Sequence, residues 1–281
     1  MRIVRARIDA REVLGVIDAG ATDVVEVPDD SLGWLLELDP TARAARIDEH
    51  RATAPVHPLA DVELLAQIAR PPKFLAIGLN YAEHVAETGK VRPELPLFFN
   101  KQSTCVIGPG EAIEVPAVSH MVDYEGELGM VIGRRCRHVR AADAHEVVAG
   151  YLVVNDVSVR DWQQRSPTMT LGKSFYTHGP IGPWIVTRDE VPYPHDLHIL
   201  TWVDGELLQD GTTADMITDC WEQIELLSTV FTLEPGDVVA TGTPAGVGVA
   251  RDPQVWLRPG SVVRIEIDGV GALENPVVAA P

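Results

Sequence analysis

The sequence predicts a β-rich α+β protein in which a mixed sheet rolls on itself. Three observations predict it. From residue 73 onward the chain breaks into short apolar runs bounded by Gly, Pro and Asp, as strands are. Glycine (23) and proline (21) recur along all 281 residues, which suits short strands and tight turns better than a helical bundle. Helical stretches are few in this region: 80–88, 141–149 and 217–231.

The elements follow in order. Residues 1–70 read as a small N-terminal α/β module. MRIVRARID alternates as a strand does, and residues 21–30 are mostly strand with an unclear start at Ala21-Thr22-Asp23. Residues 31–46 read as short helical pieces broken by Pro40, and Pro71-Pro72 marks a boundary. The runs KFLAIGL, AIEVP, LGMVIG, GYLVVNDVSV, PWIVT, HILTWVDG, GDVVATG and SVVRIEI then supply the strands of a larger domain, residues 71–281.

Composition narrows the function. Apolar residues make up 46% and charged residues 23%, an ordinary globular balance. A net charge of −18 repels phosphate backbones, so nucleic acid is not an expected partner. Cys105, Cys136 and Cys220 are scattered, odd in number and without a CxxC, which excludes a disulfide framework and a zinc ribbon. A reducing compartment, the cytoplasm, is expected. The first twenty residues have no apolar signal-peptide core, and no run is long enough for a membrane helix.

Two constellations carry chemistry. In Asp123-Tyr124-Glu125-Gly126-Glu127, followed by an apolar strand, Glu125 and Glu127 share a strand face. Two like charges about 6–7 Å apart repel unless something joins them. A hard divalent cation would, with Asp156 after the apolar run Tyr151–Val154 as a third ligand. The second constellation is His84 and Glu87, i and i+3 on a short helix that Asn80 is placed to cap, with Glu83 completing a capping box. A carboxylate beside an imidazole fixes its tautomer and raises its basicity, as a base that activates water requires.

Lys101, Arg160 and Lys173 stand where basic residues are scarce, and could neutralise an anionic substrate. The loop Thr241–Gly248 follows a strand and could expose backbone N–H groups to an anion. It is neither a dinucleotide fingerprint nor a P-loop.

In this order, GLNYAEHVAE, PLFFNKQSTCVIGPGEAIEVP, DYEGELGMVIG, GYLVVNDVSVRDWQ, GKSFYTHGPIGP, LEPGDVVATGTPAGVG and LRPGSVVRIEIDGVGALENPV resemble the fumarylacetoacetate hydrolase family over about residues 73–278. The resemblance implies that family's β-sheet roll or barrel, a homodimer, and a place in aromatic catabolism. It puts a Mg²⁺ or Mn²⁺ ion (Ca²⁺ substituting in crystals) on Glu125, Glu127 and Asp156, and the water-activating dyad on His84 and Glu87. It puts Lys173, Gln163 and Arg160 near the metal, and Gly242 and Thr243 against substrate. Tyr176 and His178 stand where many members have Asp and Phe, which bears on specificity.

The activity so implied is hydrolysis of a C–C bond in a 2,4-diketo acid of acylpyruvate or fumarylpyruvate type, the leaving carbanion held as a metal-stabilised enolate. The alternatives are isomerisation, decarboxylation or hydration of a related 2-keto acid, for example a 2-hydroxymuconate-type isomerase or an oxaloacetate decarboxylase.

Overall fold

The computed structural model describes residues 1–18, 20–28 and 31–281; Asp29-Asp30, the end of the expected strand run 21–30, lies outside the described residues. The largest sheet runs in the order Val56–Pro58, Asp23–Val27, Arg11–Ile17, Arg2–Ile8, Gly179–Thr187, Val148–Asn155, Gly126–Ile132, Val238–Ala240, Phe74–Gly78, Leu97–Lys101. It is mixed: Val238–Ala240 runs parallel to Phe74–Gly78, while the other neighbours along this path are antiparallel. A second sheet of five strands is built from Glu206–Thr212, His198–Val203, Val262–Ile267, Gly271–Ala279 and Ile113–Val115. The sheets do not close into a barrel.

The central strands are apolar throughout because both their faces are buried. Leu128, Met130, Tyr151 and Val153 pack with Ile199, Ile265 and Leu273 of the second sheet. The alternate residues Val131, Leu152 and Val154 pack with Leu35, Leu36 and Ile47 of the helices Leu32–Glu37 and Pro40–Arg51. The N-terminal strand Arg2–Ile8 pairs directly with Gly179–Thr187, so the N-terminal elements extend the large sheet. Pro40 starts a helix rather than only ending one: it sits at the first helical position, and Asp39 accepts from Thr41 N and Ala42 N.

Three expected helices differ in detail. The first spans Ala82–Glu87 and is entered through Tyr81, not Asn80. The Asn80 side chain instead donates to Thr218 O (3.0 Å) and Thr241 O (2.7 Å) and accepts from Thr218 N, tying three loops together. The stretch 141–149 is a 3₁₀ turn, Ala141–Glu146, because Val148 and Ala149 are already paired in the sheet. The third helix is Cys220–Val230, begun by a capping box of Asp219 and Glu222. Among the described residues no helix is long and apolar enough to cross a membrane, and Cys105, Cys136 and Cys220 are free thiols.

Candidate active site

Gly126 sets the acidic centre. A Cβ there would lie 2.3 Å from Thr201 Oγ1, so only glycine lets the strand press this closely on the second sheet. The strand's alternation then turns Glu125 and Glu127 to the other side. The neighbouring strand brings in the third carboxylate. Gly126 pairs with Asn155 in the ladder, and the next residue, Asp156, donates its N–H to Glu125 O at 2.9 Å. Glu125, Glu127 and Asp156 are all buried, and each offers an oxygen within 4.8 Å of the others.

Three buried cations surround them. Lys173 donates to Glu125 Oε2 (2.6 Å) and Asp156 Oδ2 (2.7 Å). Arg160 reaches Glu125 Oε1 at 2.6 Å and Asp123 Oδ2 at 2.7 Å. Lys101 donates to Asp156 Oδ1 (2.7 Å), His178 O (2.9 Å) and Lys173 O. Burial would raise the Glu125 carboxyl, but Lys173 and Arg160 outweigh it and hold the group below the usual carboxylate range. Burial would likewise lower Lys173, and its carboxylate neighbours Asp156 and Glu125 reverse that. Glu127 goes the other way. Burial, then Asp156 and Glu125, push it well above its ordinary value.

This difference identifies what the centre can hold. Gly242 N–H donates to Glu127 Oε2 at 2.8 Å, but Oε1 is a buried oxygen with no hydrogen-bond partner among the described residues. Such an orphan is costly unless something satisfies it. Four buried carboxylates, Asp123 included, also outnumber the three cations. An all-oxygen set in which Glu127 needs a further positive charge to ionise suits Mg²⁺ or Mn²⁺, so Glu125, Glu127 and Asp156 fit a hard divalent cation.

Beside them lies the imidazole. His84 Nδ1 is 2.8 Å from Glu87 Oε1, and Glu87 Oε2 accepts Gly246 N–H at 2.8 Å. An ionised carboxylate only accepts, so Nδ1 carries the proton and Nε2 is free as a base. His84, Glu87, Glu125, Glu127, Arg160, Gln163, Lys173 and Thr243 all line one cavity of about 510 Å³. Leu79 (φ 59°) and Met169 (φ 58°), two non-glycine residues in the left-handed region, line it as well.

Not every expected residue converges here. Gly242 is off the cavity wall and serves Glu127 through its N–H, whereas Thr243 lines the cavity and donates its hydroxyl to Gly126 O. Lys101 is not part of the cavity wall. Its three donors are spent on Asp156 and two carbonyls, so in this structure it braces a carboxylate of the triad. Tyr176 is 67% exposed and borders a separate hollow with Arg5 and Arg70. The following residue, Thr177, has a φ of 66°.

Asp123 was missed. It accepts from Arg160, Tyr124 N, Gly248 N and Val249 N, joining the acidic strand to the glycine loop. The signal was present as a third acidic residue in the same two-residue period, Asp123, Glu125, Glu127.

Fold and site together define a β-rich protein with a buried carboxylate triad fit for a divalent cation and a His–Glu pair on the same cavity. The chain belongs to the fumarylacetoacetate hydrolase family: the family model described as "Fumarylacetoacetate (FAA) hydrolase C-terminal" matches residues 73–278. Solved structures similar to it include a fumarylacetoacetate hydrolase from Exiguobacterium antarcticum (36% identity, TM-score 0.86, all of both chains covered). A 5-carboxymethyl-2-hydroxymuconate delta-isomerase from Mycobacterium smegmatis is 37% identical (TM-score 0.83, again covering both chains fully). A maleylpyruvate hydrolase from Sphingobium sp. SYK-6, in complex with manganese(II) and pyruvate, is 31% identical (TM-score 0.83, both chains fully covered).

Proposed function

We propose that the protein hydrolyses a C–C bond in a small 2,4-diketo acid of acylpyruvate type, using Mg²⁺ or Mn²⁺. The observation that carries this reading is the His84–Glu87 pair, 2.8 Å apart, on the same cavity as the carboxylate triad. A divalent cation on Glu125, Glu127 and Asp156 supplies Lewis acidity toward the oxygens of a 2-keto acid when bound.

The chain's own groups do the rest. His84 Nε2 takes a proton from water, and Glu87 steadies the imidazolium that forms. The hydroxide adds to the carbonyl carbon farther from the carboxylate. The adjacent C–C bond then breaks, and its electron pair leaves as the enolate of pyruvate. Lys173 and Gln163, both on the cavity wall, stabilise that charge with their N–H donors, and the protonated His84 returns to carbon the proton it took from water. The products are pyruvate and a carboxylic acid.

The Sphingobium maleylpyruvate hydrolase, with manganese and pyruvate bound, supports this reading. The M. smegmatis isomerase favours a second one, in which the same kind of enolate is reprotonated at another carbon without water. A panel of 2-keto acids with Mg²⁺ and Mn²⁺ separates them. Pyruvate plus an acid means hydrolysis, a shifted double bond means isomerisation, and CO₂ means decarboxylation.

A further inference from the structure

The cavity runs from a buried floor to an exposed rim. Glu125, Glu127, Arg160 and Lys173 on the floor are all at most 5% exposed. Ile77, Leu97, Phe99 and Met169 give the wall an apolar stretch, and Lys90, Gln164 and Pro167 are exposed at the rim. A volume of about 510 Å³ is within the range of ligand sites and leaves room beyond a three-carbon head.

Three lysines or arginines line this cavity among the described residues, and two are already spent. Arg160 is held by Asp123, Glu125 and Gln163, and Lys173 by Glu125 and Asp156. Lys90 is different. Its backbone N–H closes the turn onto Val85 O, while its ammonium makes no hydrogen bond or ion pair with a described residue. Glu87, on the same wall, has both oxygens occupied by His84 and Gly246, and the oxygens of Glu125 are taken by Arg160 and Lys173. The chain carries −18 overall, so an unspent cation at the mouth of this cavity is a specific attraction for an anion. Burial, then the positive charge of Arg160, pushes the Lys90 ammonium below its ordinary pKa, while Glu125 opposes, as expected for a cation facing this centre.

We propose that Lys90 is a specificity-determining residue that binds a second carboxylate at the far end of the substrate, so that a diacid is preferred over a monoacid of equal length. This rests on the reading that a 2-keto acid head occupies the floor. The polar floor takes the head, the apolar stretch takes the carbon chain, and Lys90 takes the terminal anion.

The test is a binding measurement. Matched pairs are titrated calorimetrically into the Mn²⁺-loaded protein: 2-oxopentanoate and 2-oxoglutarate, 2-oxohexanoate and 2-oxoadipate, 2-oxoheptanoate and 2-oxopimelate. In at least one pair the diacid should bind about fivefold tighter, the worth of one partly exposed charge-assisted contact. Lys90→Met should erase that preference while leaving monoacid affinity unchanged, and Lys90→Arg should keep it. Equal binding within every pair, or a preference that survives in Lys90→Met, overturns the assignment. Absence of binding by every compound removes the 2-keto acid reading itself, and the role of Lys90 with it.

Discussion

Glu87 grips His84 with one oxygen and the backbone of Gly246 with the other, at 2.8 Å in each case. The carboxylate is therefore fixed from both sides and cannot turn away from the imidazole. His84→Ala should lower kcat for C–C hydrolysis by about 100-fold or more, the usual worth of a positioned base. Mn²⁺ affinity should be unchanged, since His84 is not in the triad. Steady-state kinetics beside metal titration checks both; hydrolysis at the wild-type rate would show that the pair is not the base.

Gly246 ties the glycine loop to the dyad. Its N–H serves Glu87, its carbonyl accepts from Tyr124 and Arg251, and its φ is +106°. A Cβ there would lie 2.1 Å from Leu208 O. Gly246→Ala should cost about 2 kcal/mol or more of stability through strain, read by urea unfolding. Activity should fall further than stability alone explains, because the loop moves away from Glu87. A variant with wild-type stability and kcat would contradict this geometry.

His178 makes stability depend on pH. Burial pushes its pKa from 6.5 down to about 4, while Nε2 sits 2.8 Å from Glu114 O. The folded state holds His178 neutral, whereas the unfolded chain takes up a proton below pH 6.5. Its contribution is therefore full above that value and is lost as pH falls from 6.5 toward 4. His178→Phe should remove about 3 kcal/mol of this acid sensitivity, seen as wild-type and variant stabilities converging or crossing as pH falls. Parallel stability curves across that window would show that the imidazole is not held neutral.

The sequence announced what depends on local pattern. Apolar runs bounded by turn residues placed most of the strands around the site, and the two-residue spacing of Glu125 and Glu127 put both carboxylates on one face. Polar strands were harder to read. Glu206–Thr212 lacks an apolar run and exists as the hairpin partner of His198–Val203. Its signal was the Asp204-Gly205 turn, where both residues have positive φ.

Side-chain destinations were harder still. Asn80 matched a helix cap but is consumed by Thr218 and Thr241. Lys101 read as an unspent cation, and its ammonium is taken by Asp156 and two backbone carbonyls. Which of several competing partners a polar side chain takes is decided by long-range packing, which no local spacing encodes.

Mn²⁺ binding, measured by calorimetry on the metal-stripped protein, tests the carboxylate triad most directly. One ion per chain should bind to the wild type. Glu125→Ala, Glu127→Ala and Asp156→Ala should each weaken binding by at least about tenfold, the low end of what a site loses even with a neighbour of a ligand, while near-UV circular dichroism shows an intact fold. Unchanged affinity in all three variants, or no saturable binding by the wild type, would contradict the triad as the metal site.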